Sequence, residues 1–301
     1  MRNTKVEIAG VTLKNPVMVS SGTFGSGEEY EEFFDLNKLG ALVTKGVSLI
    51  PWSGNKTPRI AETDSGMLNA IGLQNPGIDV FLERDMPRLE KLDTVVIVNV
   101  CGHSEDEYLA VTERLSDTAA DMLEINISCP NVSADFLAFG QNPKMVEHLT
   151  ARIREKTNKP LIMKLTPNVT SIAEIAKAAE AGGADAVSLI NTLTGMKIDV
   201  ERQTFALANK TGGLSGPAIR PVAVRMVYET ARAVHIPVIG MGGITCAKDA
   251  LEFILAGASA VSVGTANFVD PFTALKVIQG IEEYMDRHGV KNIVDLVGAV
   301  H

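Results

Sequence analysis

The chain has 301 residues, 46% hydrophobic and 21% charged, and its 36 acidic against 28 basic side chains leave a formal charge of −8. The composition is that of a globular protein, and the acidic balance argues against nucleic acid or an anionic membrane as the main partner, while a few local lysines can still hold a small anionic substrate. No apolar run is long enough to span a bilayer, residues 1–5 open no signal-peptide core, and Cys101, Cys129 and Cys246 are too widely spaced for a disulfide framework or a zinc ribbon. A reducing cytoplasm is therefore the expected compartment.

In chain order, short β-branched runs alternate with alanine- and glutamate-rich stretches. Strands are expected at 17–20, 41–45, 95–100, 122–127, 160–165, 186–190, 237–240 and 260–263. Several are apolar at nearly every position, as parallel strands covered on both faces should be. Helices are expected at 106–115, 144–156, 172–181 and 247–256, and Gly182-Gly183 closes the third of these. Pro217 and Pro271 suit the first turns of two more. Strands each followed by a helix predict a closed (β/α)₈ TIM barrel in one domain over 1–301. The connections 46–78 and 191–216 are too long for idle turns and read as functional loops.

Active sites of such barrels lie at the carboxyl ends of the strands. There the sequence delivers Ser20-Ser21-Gly22-Thr23, Lys45-Gly46, Asn99, Asn126, Lys164, Asn191-Thr192, Gly242-Gly243 and Gly264-Thr265. A lone asparagine at such a place is usually a turn residue, but polar groups and glycines on every strand call for a ligand. Glycines after the last two strands let backbone N–H groups approach a phosphate, although tight βα turns also use glycine. Lys164 sits in an apolar strand, and a lysine there can stabilise negative charge, form a Schiff base or bind phosphate. Lys45 raises the same options. Cys129 can be a base, a nucleophile or a small packed residue; Cys101 and Cys246 read as packing residues. The histidines, His103, His148, His235, His288 and His301, show no ligand spacing, so no metal site is expected.

Three segments are longer and more specific. Asn126-Ile127-Ser128-Cys129-Pro130-Asn131, Asn69-Ala70-Ile71-Gly72-Leu73-Gln74-Asn75-Pro76-Gly77 and Thr211-Gly212-Gly213-Leu214-Ser215-Gly216-Pro217-Ala218 resemble dihydroorotate dehydrogenase, and the resemblance runs from about Val6 past Pro271. In that family cysteine as the base marks the soluble class and serine the membrane-associated one, so Cys129 implies the soluble class. The 69–77 segment looks like the NAD-linked type, whose electrons leave through a separate iron–sulfur flavoprotein carrying FAD and a [2Fe-2S] cluster. The resemblance implies bound FMN, with contacts from Ser21, Lys45, Gly46, Asn99, Asn126, Lys164, Ile190, Gly216, Gly242, Gly243, Gly264 and Thr265. It implies substrate contacts from Lys45, Asn69, Ala70, Ile71, Gly72, Leu73, Asn126, Asn191 and Thr192. After Val132, relatives commonly carry a basic residue and two glycines, where this chain has Ser133-Ala134-Asp135-Phe136, so the loop over Cys129 should open differently.

The implied reaction oxidises dihydroorotate to orotate in pyrimidine synthesis. Cys129 takes the proton, FMN the hydride, and Lys164 offsets negative charge on the flavin. Asparagine side chains both donate and accept, which suits the amide-like edge of the substrate ring. No dinucleotide fingerprint follows the first strand and no cysteine cluster could hold an iron–sulfur centre. NAD as final acceptor therefore implies a partner subunit, and the resemblance implies a heterotetramer of two such chains and two electron-transfer subunits. Rival readings are a fumarate-linked soluble dehydrogenase, a dihydropyrimidine-type flavin barrel, a flavin-free sugar-phosphate aldolase or isomerase using Lys164, and a non-catalytic binding protein.

Overall fold

A computed structural model describes residues 2–127 and 139–300. Its centre is a closed eight-stranded barrel. In chain order the barrel strands are β1 (Val17–Val19), β2 (Ala41–Val43), β3 (Val95–Val100), β4 (Met122–Asn126), β5 (Leu161–Lys164), β6 (Ala186–Leu189), β7 (Val238–Met241) and β8 (Ala260–Val263). Every neighbouring pair is parallel, and β8 closes on β1 through Val261↔Val17. All eight expected strands are present. Nearly every strand residue is buried, because one face meets the barrel interior and the other meets helices.

The helices start where local chemistry satisfies their first N–H groups. Ser104 caps Glu105–Ser116, Asn142 caps Pro143–Arg154, and Ser171 caps Ile172–Ala181, each by accepting from an amide of the first turn. Ile172–Ala181 buries Ile172, Ile175, Ala176, Ala178 and Ala179, the stripe that its apolar spacing predicts. Two expectations need correction. The segment after β1 forms only the one-turn helix Ser21–Phe24 and short 3₁₀ turns, so that strand lacks a full helix. Pro217 opens a 3₁₀ turn ahead of the helix Arg220–Ala231, and Pro271 lies before the capping residue of Thr273–His288 rather than within its first turn.

The two long connections pair with each other. They form a four-stranded antiparallel sheet in the order Leu193–Met196, Thr211–Ser215, Gly66–Asn69, Ile60–Thr63. Gly213 lies opposite Asn69 and Leu214 opposite Leu68. Leu68, Ala70 and Leu207 make a small buried cluster beneath this sheet. Full burial of a leucine contributes about 1.5–3 kcal/mol, so the cluster helps bind two segments that lie far apart in sequence. Among the described residues, no helix is long and apolar enough to cross a membrane.

Candidate active site

A cavity of about 290 Å³ opens at the carboxyl ends of the strands, between the barrel and the antiparallel sheet. From the barrel, Ser20, Ser21, Lys45, Asn126 and Lys164 line it, and β6 adds Ile190, Asn191 and Thr192. The last two strands contribute Met241, Gly242, Gly243, Gly264 and Thr265, so the proposed phosphate turns face the same space as the two lysines. From the sheet and the loop after Asn69 come Met67, Asn69, Ile71, Gly72 and Leu73.

Four of the expected residues, Gly46, Ala70, Asn99 and Gly216, are not among those lining the cavity. Asn99 is fully buried and donates from Nδ2 to Glu124 at 2.6 Å. Gly46 lies beside it: a Cβ there would stand 3.1 Å from Asn99 Oδ1 and 3.3 Å from Cys101 Sγ. Ala70 packs with Leu68 and Leu207 and so supports the 69–73 loop from behind. Gly216 follows Ser215, which lines the cavity and accepts from Thr265 Oγ1 at 2.7 Å. Cys129 and the stretch Ser133-Ala134-Asp135-Phe136 lie outside the described residues.

Several bonds fix the polar side chains. Asn191 Nδ2 donates to Asn126 Oδ1 at 3.4 Å, and Asn191 Oδ1 accepts from the Thr192 amide at 2.8 Å. Asn69 Nδ2 reaches the Gly213 carbonyl at 3.4 Å, across the sheet that joins the two long loops. Ser20 and Ser262 share a hydroxyl hydrogen bond of 2.7 Å, tying the ends of β1 and β8 together.

The turn after β7 requires glycine. Gly242 and Gly243 have φ of +129° and +77°, a region that side chains with a Cβ disfavour. The chain beyond is held by Asp249, which accepts from the Thr245 amide at 2.9 Å and from Thr245 Oγ1 at 2.6 Å and pairs with Arg220. Burial pushes the Asp249 carboxyl up, but the Thr245 bonds, the Arg220 charge and the Cys246 thiol together hold it below its ordinary value. Cys246 is exposed at the start of Ala247–Ala256, so the expectation that it packs in the interior is wrong, whereas Cys101 is buried as expected.

Three contributors escaped the sequence patterns. Asn168 donates to the Thr192 carbonyl at 3.1 Å and accepts from the Thr194 amide at 3.0 Å, clamping the loop that carries Asn191 and Thr192. Asp249 acts from a helix, beyond the strand ends. Glu124 is buried in β4 beside Lys164, with Nζ to Oε1 at 3.6 Å. A charged residue inside an apolar strand, the signal that singles out Lys164, was equally present in Met122-Leu123-Glu124-Ile125.

The site can hold an extended, partly anionic ligand. It offers two lysines, the amide and hydroxyl groups of Asn69, Asn126, Asn191 and Thr192, and two glycine turns where backbone N–H groups come close. Comparison with known proteins agrees in kind. The family model described as dihydroorotate dehydrogenase matches residues 3–285. A protein of Lachnoclostridium phytofermentans is 64% identical over 298 residues, covering 99% of both chains. One of Alkaliphilus oremlandii is 58% identical, covering 99% of this chain and 98% of its own. A third, of Thermoanaerobacter pseudethanolicus, is 52% identical over 99% of both. All three carry the name dihydroorotate dehydrogenase B (NAD(+)), catalytic subunit.

Proposed function

The chain belongs to the dihydroorotate dehydrogenase family, and we propose that it is the catalytic subunit that oxidises (S)-dihydroorotate to orotate in de novo pyrimidine synthesis, with FMN as its resident cofactor. The observation that carries this reading is the convergence of Lys45, Lys164, Asn69, Asn126, Asn191 and the two glycine turns on one cavity. A buried group fits the cofactor independently. Asn99 Oδ1 has no hydrogen-bond partner among the described residues, and an imide N–H such as that of a flavin ring supplies the donor it lacks.

FMN, when bound, supplies the hydride acceptor for one ring carbon of the substrate. The chain's own residues do the rest. Gly242, Gly243, Gly264 and Thr265 hold the phosphate, with Gly216 and Ser21 beside them. Lys45, Gly46, Asn99, Asn126, Lys164 and Ile190 hold the flavin ring. Asn69, Asn126, Asn191 and Thr192 orient the substrate, and Lys45 offsets its negative charge. The backbone of residues 70–73 closes over it and excludes water. Cys129 accepts the proton from the neighbouring ring carbon; a thiol can be tuned to neutral pH for that task.

Electrons continue to NAD through a partner iron–sulfur flavoprotein bearing FAD and a [2Fe-2S] cluster, in a heterotetramer of two catalytic and two electron-transfer subunits in the cytoplasm. The relatives' names, which specify NAD(+) and a catalytic subunit, support NAD as the final acceptor and a separate partner subunit. So does the cysteine content, because three cysteines are fewer than the four such a cluster needs.

An anaerobic visible spectrum of the purified chain tests the reading. A yellow protein that bleaches on adding dihydroorotate supports it. A yellow protein that bleaches with dihydrouracil instead points to the dihydropyrimidine-type reaction, and reoxidation by fumarate alone points to the fumarate-linked type. A colourless chain that takes up no FMN overturns it.

A further inference from the structure

One buried carboxylate has no part in the reaction as proposed. Glu124, in the middle of β4, is 2% exposed. Its Oε1 accepts from Asn99 Nδ2 at 2.6 Å and its Oε2 from Ser188 Oγ at 2.8 Å, while Lys164 Nζ stands 3.6 Å from Oε1. Thus β3, β5 and β6 each direct one polar side chain at a single carboxylate on β4. Burying a charge in a barrel core is costly, and an apolar residue of similar volume often packs there at least as stably. The packing of the barrel therefore does not account for this carboxylate.

Its neighbours suggest what it does. An ionised carboxylate only accepts hydrogen bonds. Glu124 therefore dictates that Asn99 present its NH₂ to it, which leaves Oδ1 as the unpartnered acceptor on the side of Gly46. Lys164 reaches the cavity on a flexible four-carbon stem, and an opposite charge close by in a low-dielectric interior confines it. We propose that Glu124 is a positioning residue of the cofactor site, which orients the Asn99 amide and the Lys164 ammonium and balances the lysine charge at that wall of the cavity. The proposal rests on the FMN reading above.

Glu124→Gln separates charge from shape. Glutamine keeps the size, its oxygen can retain Asn99, and the Ser188 hydroxyl can reverse to accept from the new amide. The variant should bind FMN, and an anaerobic titration against a dye of known potential should show its midpoint shifted upward. With the lysine charge unbalanced, the ratio of binding constants for the two flavin redox states should change at least tenfold, about 30 mV for a two-electron couple. A residue that merely packs would not move the potential.

An FMN-loaded Glu124→Gln with the wild-type potential overturns this inference alone, provided the wild-type chain bleaches with dihydroorotate. A wild-type chain that takes up no FMN overturns both the inference and the reading beneath it. Should Glu124→Gln not fold, Lys164→Gln and the double variant decide. The single change leaves Glu124 unbalanced, so FMN should bind more weakly and its potential should fall; adding Glu124→Gln should restore much of both. Equal potentials in those two variants overturn the inference.

Discussion

Gly243→Ala probes how tightly the turn after β7 is built. Gly243 has φ of +77°, and a Cβ there would stand 2.7 Å from the Gly216 carbonyl oxygen and 2.9 Å from Arg220 Cβ. The left-handed backbone alone costs an alanine about 1–2 kcal/mol. The contacts add overpacking, typically about 1–3 kcal/mol, and Gly216 cannot yield easily because Thr211–Ser215 just before it is paired to Gly66–Asn69. The expected loss is therefore about 2–5 kcal/mol of stability. Because Gly242, Gly243 and Ser215 line the cavity, FMN should also bind at least about tenfold more weakly, the equivalent of ~1.4 kcal/mol. Urea unfolding of the FMN-free chain measures the first effect, and quenching of FMN fluorescence during titration measures the second. Gly289→Ala is the control: φ is +66° but nothing lies within 4 Å of the added carbon, so only the backbone cost should appear and FMN affinity should stay unchanged. If Gly243→Ala unfolds within ~0.5 kcal/mol of wild type, the range of neutral surface changes, and binds FMN equally well, the reasoning from this turn is refuted.

Further outcomes concern the chemistry and its supports. Cys129→Ser should retain FMN yet be bleached by dihydroorotate about 10²–10⁴-fold more slowly in anaerobic stopped flow, the usual contribution of a general base; wild-type bleaching would remove Cys129 from that role. Asn168→Ala releases the Thr192 carbonyl and the Thr194 amide. At about 1 kcal/mol per lost bond, KM for dihydroorotate should rise roughly five- to thirtyfold, with FMN content unchanged by absorbance. Asp249→Asn should lower the urea midpoint at pH 7. The Asp249 carboxyl is held below its ordinary value of 3.8 in the fold, so its contribution is complete above that value and disappears as pH falls through the lower folded value. The gap between variant and wild type should therefore begin to narrow as pH falls below that ordinary value, and a gap that stays the same from pH 7 down through acid unfolding would show that the carboxylate charge is not what matters.

The barrel itself was legible in the sequence. Parallel strands covered on both faces must be apolar throughout, and helices between them must carry a stripe and a stop; both patterns are local, so 95–100, 172–181, 247–256 and 260–263 coincide with the elements found. Because a barrel assembles its site from strand ends, this local reading also brought Ser21, Lys45, Asn126, Lys164, Asn191, Gly243 and Thr265 to one rim before any contact was known. The antiparallel cover was not legible. Ile60–Thr63, Gly66–Asn69, Leu193–Met196 and Thr211–Ser215 are short and half-exposed, three of them carry glycine, and their pairing joins Asn69 to Gly213 across 144 positions of chain. Nor could spacing reveal what Glu124, Asn168 and Asp249 hold. Composition and periodicity report how each segment meets solvent or core. Which carboxylate accepts from which amide depends on strands and loops brought together by the closed barrel, and that is decided only in three dimensions.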